Sequence, residues 1–171
     1  MPQKSFTPLD LWEGRHQSYQ QNIDGYYSFD SYAKGEGLAG YRNASKEFQE
    51  IIGEAVQNKF TLRAMGSSWS LSTCGVTNNR LISSKNLRRF FGVSGSYVDP
   101  SYSKDSTKLL FFECGYTLGK INIELKKKGL SLLACGSNNG QTLPGVISTN
   151  THGSAFKFGA TPEMVVGIHL I

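Results

Sequence analysis

The sequence predicts an α+β fold, and three observations support this expectation. The 171 residues contain 39% hydrophobic and 18% charged side chains, a globular composition with enough apolar material for one core. The 19 glycines indicate many turns and close backbone approaches rather than a helix bundle. Segments with helical periodicity alternate with short apolar runs that are typical of strands.

Residues 1–38 are polar and weakly periodic, yet they hold too many aromatic side chains for a linker. These aromatic residues include Trp12, Tyr26, Tyr27, Phe29 and Tyr32. We expect a loosely ordered N-terminal arm whose rings pack onto the domain or onto a partner. The lone His16 is interpreted as a surface residue, because no other chemistry-bearing group accompanies it.

The domain itself is predicted to occupy residues 39–171 and to open with a helix over 44–57. Its apolar face is formed by Phe48, Ile51, Ile52, Ala55 and Val56, which recur at helical spacing. Asn43 or Ser45 could cap the start of this helix. Strands are expected at 60–65 and 81–83 on the basis of their short apolar runs.

The second half of the chain predicts a loop or hairpin over 92–107 and a buried strand over 109–114. A helix should follow Thr117, bury Leu118, Ile121 and Leu125, and end at Gly129. Further strands are expected at 130–134 and 164–171. Because the last strand runs to the final residue, we expect a domain that is incomplete at the C-terminus.

Charge and cysteine content narrow the classes of function. The net charge of +5 suits an anionic cofactor or a nucleic acid, but the aromatic residues do not interleave with the basic ones as a single-strand platform requires. Lys126–Lys128 is interpreted as a solvated helix end. Cys74, Cys114 and Cys135 are odd in number and widely spaced, which argues against a disulfide scaffold or a zinc site.

The N-terminus has no signal-peptide pattern, and no apolar run is long enough to cross a bilayer. These features predict a protein of the cytoplasm without a membrane-spanning segment. No Ser-His-Asp spacing, paired carboxylates or metal cluster can be recognised, so any chemistry must come from a bound cofactor or from residues outside this sequence.

Two segments are candidates for binding a ligand. The small-residue run Gly66–Ser70 follows a predicted strand and could form an anion-binding nest of backbone N–H groups, or an ordinary tight turn. The stretch Gly136–Gly153 is rich in Gly, Ser, Thr and Asn, and could bind a polar ligand or form a long polar loop. Gly145 would allow close approach of the backbone.

Both segments together resemble a known family of flavoenzymes. The stretch 142–153 is similar to the flavin-binding sequence G-x-x-x-T/S-G-T-H-G of aldonolactone and alditol oxidases, and 63–70 is similar to their diphosphate loop R-x-x-G-x-G-H-S. The order of the two motifs, the preceding helix and the turn at Gly115 fit the same family. The chain is therefore identified as the N-terminal portion of an FAD-binding domain of the p-cresol methylhydroxylase (PCMH) type, from the vanillyl-alcohol oxidase group.

The resemblance implies two α+β lobes with FAD between them, and hydride transfer from a hydroxyl-bearing substrate to the flavin. The substrate that the resemblance implies is a sugar lactone or an alditol. A missing C-terminal domain would bind it. The alternative is a non-catalytic module that keeps the fold for flavin or protein binding. Residues that the resemblance assigns to the cofactor are Met65, Gly66, Ser67, Ser68, Trp69, Ser70, Ser137, Thr142, Gly145, Ser148, Thr149, Asn150, Thr151 and His152.

Three positions depart from the family pattern. Trp69 stands where several members carry a histidine joined covalently to the flavin, and an indole cannot form that bond, which predicts non-covalent FAD. Ser68 and Asn150 each replace a glycine that is common in the family. Without a substrate domain, the chain alone is expected not to turn over substrate.

Overall fold

The computed structural model describes residues 4–29 and 37–171. It is an α+β structure of two lobes, as predicted. The N-terminal segment differs from the expected loose arm, because it forms four strands: β1 Lys4–Pro8, β2 Leu11–Glu13, β3 Gln20–Asn22 and β4 Gly25–Phe29. Alternating burial along β4 shows why: one face of this strand belongs to the core. Tyr32 lies outside the described residues.

The remaining elements include most of the predicted helices and strands in the expected order, and also a strand at Phe90–Gly92 and a helix at Leu143–Ser148 that were not predicted. They are α1 Gly37–Asn58, β5 Leu62–Met65, β6 Arg80–Ser83, β7 Phe90–Gly92, β8 Leu110–Phe112, α2 Leu118–Lys127 and α3 Leu143–Ser148. Short 3₁₀ turns lie at Thr73–Gly75, Gly95–Tyr97, Ser106–Lys108 and Thr161–Met164.

The first lobe is built on a four-stranded sheet of order β1-β4-β6-β5. Strand β6 is parallel to both β4 and β5, and β1 is antiparallel to β4. Helix α1 packs on one face through Ala44 and Ile51, against Phe29 and Ile82. The antiparallel β2–β3 hairpin covers a second core. This core contains Trp12 of the hairpin together with residues of the sheet. The aromatic rings of the N-terminal segment thus pack onto the sheet.

The second lobe contains the antiparallel β7–β8 pair and the two short helices. Leu118, Ile121 and Leu125 of α2 are buried as predicted, together with Val146 of α3. Strand β8 is only half-buried, where a buried strand was expected, because β7 is its one paired neighbour. Thr117 is at the N-cap position of α2, but its side chain makes no capping hydrogen bond.

A buried ion pair fixes the second lobe where β7 begins and β8 ends. The Arg89 guanidinium contacts Glu113 Oε1 at 2.5 Å, and the Arg89 backbone N–H donates to Glu113 Oε2 at 2.6 Å. Burial is the main influence on the Glu113 carboxyl and raises its pKa, while Arg89 acts in the opposite direction. The pair joins the start of β7 to the end of β8, although a buried ion pair is weak evidence for added stability.

Two predicted strands are absent. Residues 130–134 form no strand, because Leu130 and Leu132 pack into the second lobe without a neighbouring strand to bond. Residues 165–171 are also irregular, where a strand was predicted over 164–171. They run along an apolar cavity of about 460 Å³ between α1, β8 and α3, and the Tyr41 hydroxyl contacts Nδ1 of His169 there.

The start of α1 is earlier than predicted, and neither Asn43 nor Ser45 caps it. Both residues lie inside the helix, and the Ser45 hydroxyl donates to the carbonyl of Tyr41 one turn back. No helix among the described residues has both the length and the apolar character that crossing a bilayer would require.

Candidate functional site

The first candidate segment follows strand β5 directly, as the sequence predicts. Met65 ends β5, and residues 66–70 form an irregular loop that leads to the 3₁₀ turn Thr73–Gly75. Within the described part of the chain, the backbone N–H groups of residues 67–70 have no protein acceptor. Ser68 has a left-handed backbone with φ of 57°. Such a loop leaves several N–H donors unpaired, and an anion nest is formed from donors of this kind.

The second candidate segment contains a helix. The sequence suggests a ligand-binding stretch or a long polar loop here, and no helix was predicted. Residues 136–142 are irregular, Thr142 is the N-cap residue of α3, and the helix ends before Thr149. The N–H groups of residues 136–142 also lack a protein acceptor among the described residues. Pro144 in the first turn suits a helix start, because its nitrogen carries no hydrogen that would need a partner.

The structure brings these two segments into contact across the junction of the lobes. A Cβ atom added to Gly66 would collide with Oγ1 of Thr142, so the backbone of the first loop touches the start of α3. A Cβ at Gly140 would lie 2.5 Å from the Trp69 ring. Glycine is therefore required at both positions for a steric reason.

Trp69 lies between the two lobes and has an unsatisfied donor. Its ring packs on the Gly140 backbone, and His16 of the β2–β3 hairpin makes an edge contact with a centroid separation of 5.3 Å. The indole Nε1 is buried and has no hydrogen-bond partner. Leaving such a donor unpaired costs about 1–3 kcal/mol, so an acceptor supplied by a ligand would relieve it.

The other predicted residues are distributed around α3. Gly145 lies inside the helix, where a Cβ would be 3.3 Å from Thr142 Oγ1, so the close approach predicted there is to the helix cap. Thr149 Oγ1 donates to the Gly145 carbonyl at 2.9 Å and lies 3.1 Å from Thr151 Oγ1. These two hydroxyls thus stiffen the turn after α3.

Four further residues of this group are exposed, and one of them has an unusual backbone. Ser137 and Ser148 are exposed, and neither takes part in a described side-chain hydrogen bond. Asn150 is left-handed with φ of 52°. His152 Nδ1 is 3.0 Å from the Gly153 carbonyl oxygen, which orients the exposed imidazole.

The two segments themselves contain almost no charged side chains. Residues 66–72 contain no charged side chain, and His152 is the one titratable residue in 136–153. Hydrogen bonds from Ser70 and then Ser72 lower the pKa of the exposed Cys74 thiol. Among the described residues, no three His, Cys, Asp or Glu side chains come together as a metal site. The site can therefore hold a polar ligand chiefly through backbone amides and hydroxyls.

Sequence reasoning missed the contribution of the β2–β3 hairpin. Arg15 lies over the Trp69 ring with its Cζ 4.8 Å from the centroid, and the Ser18 hydroxyl donates to the Leu71 carbonyl at 3.2 Å. Gly140 and Gln141, whose Oε1 atom is buried without a partner, were also not singled out. Long-range contacts of this kind leave no local signal in the sequence.

Two lobes with facing amide-rich segments are the arrangement expected of a domain for a nucleotide-containing cofactor. The chain belongs to the FAD binding domain family, whose model matches residues 43–171. This match confirms the resemblance drawn from the two motifs, and places both of them inside the matched region.

Relatives of known function carry the same region. The chain is 28% identical over 130 residues to D-arabinono-1,4-lactone oxidase of Yarrowia lipolytica, covering 74% of this chain and 23% of that protein. It is 25% identical over 125 residues to L-gulono-1,4-lactone dehydrogenase of Mycobacterium tuberculosis, covering 73% and 27%. The chain thus spans about a quarter of the length of these relatives.

A solved structure shows the same fold. A solvent-stable cholesterol oxidase superposes with a TM-score of 0.61 at 18% identity, covering 90% of this chain and 26% of that one. At this identity the likeness concerns the fold alone.

Proposed function

We propose that this chain is the flavin-binding part of an oxidoreductase that oxidises a hydroxyl-bearing substrate, such as a sugar lactone or an alditol. The observation that carries the proposal is the contact between the Gly66 loop and the Thr142 helix start, with unpaired backbone N–H groups on both sides. The named relatives act on aldonolactones, which supports this substrate class.

The residues present fit FAD. On this proposal, the N–H groups of 67–70 hold the diphosphate, and those of 136–142 bind the polar parts of the cofactor on the other lobe. The unpaired Trp69 Nε1 and Gln141 Oε1 supply one donor and one acceptor for the same ligand. Thr149, Thr151 and His152 line the flavin side of the site.

Bound flavin would accept the substrate hydride, which no side chain of this chain can do. The chain positions the cofactor, and the close packing at Gly66 and Gly140 holds the two lobes together beside it. Trp69 cannot form the covalent link of some family members, so we propose non-covalent FAD. Residues that select the substrate would belong to a further domain.

The test is an FAD titration of the purified chain, followed by quenching of its two tryptophans and then by acid precipitation. We expect saturable quenching, with all flavin in the acid supernatant. Flavin that stays with the acid-precipitated protein would contradict the non-covalent proposal. A chain that shows no quenching at high micromolar FAD would contradict the cofactor assignment.

A pair of glycine variants makes the titration specific to this site. Gly66→Ala should weaken FAD binding at least about ten-fold, because its methyl group displaces Thr142. Gly75→Ala is the matched control, since a Cβ there meets no atom within 4 Å. If both variants bind FAD as the wild type does, the Gly66–Thr142 contact is not part of the site.

A further inference from the structure

The tip of the β2–β3 hairpin covers the loop that we assign to the diphosphate. Trp69 meets the hairpin through Arg15 and His16, and the Ser18 hydroxyl bonds the Leu71 carbonyl. The tip is itself held in shape, because the Gly14 N–H donates to the Tyr19 carbonyl and Gln17 adopts a left-handed backbone. Three separate contacts therefore attach the hairpin to residues 69–71.

Arg15 is the charged group that the hairpin tip brings to this junction. Its side chain lies over the Trp69 ring, and no acidic residue of the described chain forms a salt bridge with it. The loop beneath it has no charge of its own, as residues 66–72 are Gly, Ser, Trp and Leu. A diphosphate in that loop would carry two negative charges without a side-chain counterion from the loop.

We infer that Arg15 is the cation that neutralises the diphosphate of the bound dinucleotide, and that Trp69 positions its guanidinium by stacking. The inference rests on the proposed function. A guanidinium stacked on a ring keeps its N–H donors free at the edge, where phosphate oxygens can accept them in pairs. His16 and Ser18 act as positioning residues that fix the hairpin tip.

The test is the FAD dissociation constant of the full chain at about 20 mM and about 500 mM salt, where the Debye length differs several-fold. Arg15→Gln should weaken FAD binding at least about ten-fold at low salt and far less at high salt. Arg15→Lys should retain part of the affinity, because it keeps the charge but not the planar fork. Arg42→Gln on α1 is the control with the same change in net charge.

The outcomes distinguish a failure of the inference about Arg15 from a failure of the proposed function. If the wild type binds FAD and Arg15→Gln binds it equally well, the inference about Arg15 is wrong and the proposed function stands. A loss of affinity that is the same at both salt concentrations means that Arg15 only supports the Trp69 ring, and it overturns the charge role. If the wild type does not bind FAD, the proposed function and this inference fall together.

Discussion

At the residue scale, the two positions where the sequence departs from the family glycines share one backbone feature. Ser68 and Asn150 both have left-handed backbones, with φ of 57° and 52°. A Cβ atom in this region costs about 1–2 kcal/mol, and asparagine tolerates it better than most residues. The left-handed backbone explains why the family pattern has glycine at these two positions. This chain keeps the left-handed backbone with Ser68 and Asn150 in place of glycine.

We predict that Ser68→Gly raises the free energy of unfolding by about 0.5–1 kcal/mol, because relief of the strain exceeds the added entropy of the unfolded chain. Urea unfolding without cofactor measures this change. Ser67→Gly is the control, since Ser67 is not left-handed and the substitution should be neutral or destabilising. Equal stabilisation by both variants would count against strain at Ser68.

At the scale of elements, one arginine connects the strands of the first lobe to its helix. The Arg80 guanidinium on β6 packs 4.1 Å from the Phe60 ring centroid and 4.9 Å from that of Phe6. It also donates to the Tyr27 hydroxyl at 2.6 Å and to Glu54 of α1 at 2.7 Å. The hydrogen bond from Tyr27, followed by the bond from Arg80, lowers the pKa of the Glu54 carboxyl below its usual value of 4.5.

We predict that Glu54→Gln lowers stability at pH 7 by less than about 1 kcal/mol, because the carboxylate is partly exposed and screened by solvent. The lowered pKa means that the charged carboxylate stabilises the fold above pH 4.5 and stops doing so as pH falls through the pKa of the folded state. The difference from wild type in urea unfolding should therefore be larger at pH 7 than at pH 3.

Glu13→Gln is the matched control for this experiment, because Glu13 is an exposed residue of β2 that bonds Gln20 rather than Arg80. It should change stability less than Glu54→Gln at pH 7. A Glu54→Gln deficit that persists unchanged at pH 3 would show that the loss comes from packing and not from the charge.

The elements that could be predicted from sequence are those whose burial pattern is local. The apolar spacing of α2 identifies its buried face, and the run 62–65 identifies β5, because each pattern depends on neighbours along the chain. A strand requires a neighbouring strand for its backbone hydrogen bonds as well as an apolar pattern in its own sequence. Residues 130–134 have the apolar pattern but bond no neighbouring strand, while β4 is fixed by pairing with distant β6.

The candidate site could also be predicted only in part from the sequence. Both glycine-rich segments could be recognised from their composition and order, and their contact at Gly66 and Thr142 agrees with a site between lobes. The helix inside the second segment was hidden by its Pro, Gly and Ser content, which local propensity disfavours in helices. The assignment of individual residues to FAD stays a prediction.

At the scale of the whole molecule, the N-terminal segment is part of the first lobe's core. Phe29 and Tyr27 pack with α1, and Trp12 and Ile23 fill the other face of the sheet. The two lobes are joined where the Gly115 N–H donates to the Leu87 carbonyl at 2.8 Å. Loss of the N-terminal strands would therefore affect both the sheet and the loop at its end.

We predict that a chain of residues 39–171 lacks a cooperative unfolding transition, because β6 would lose its β4 neighbour and two cores would lose aromatic side chains. Circular dichroism during urea unfolding measures this. Adding a peptide of residues 1–38 in excess should restore part of the transition. A shortened chain that unfolds as cooperatively as the full one would contradict the prediction.

The parallel pairing of β4 with β6 also has a consequence for synthesis in the cell. Gly25 lies opposite Arg80, more than fifty residues later in the chain. Ribosomes add about 5–20 residues per second, so β4 waits roughly 3–11 s for this neighbour, with one backbone edge unpaired. During that interval the open edge can pair with another chain, so the rate of translation helps decide how much of the nascent chain reaches the native sheet.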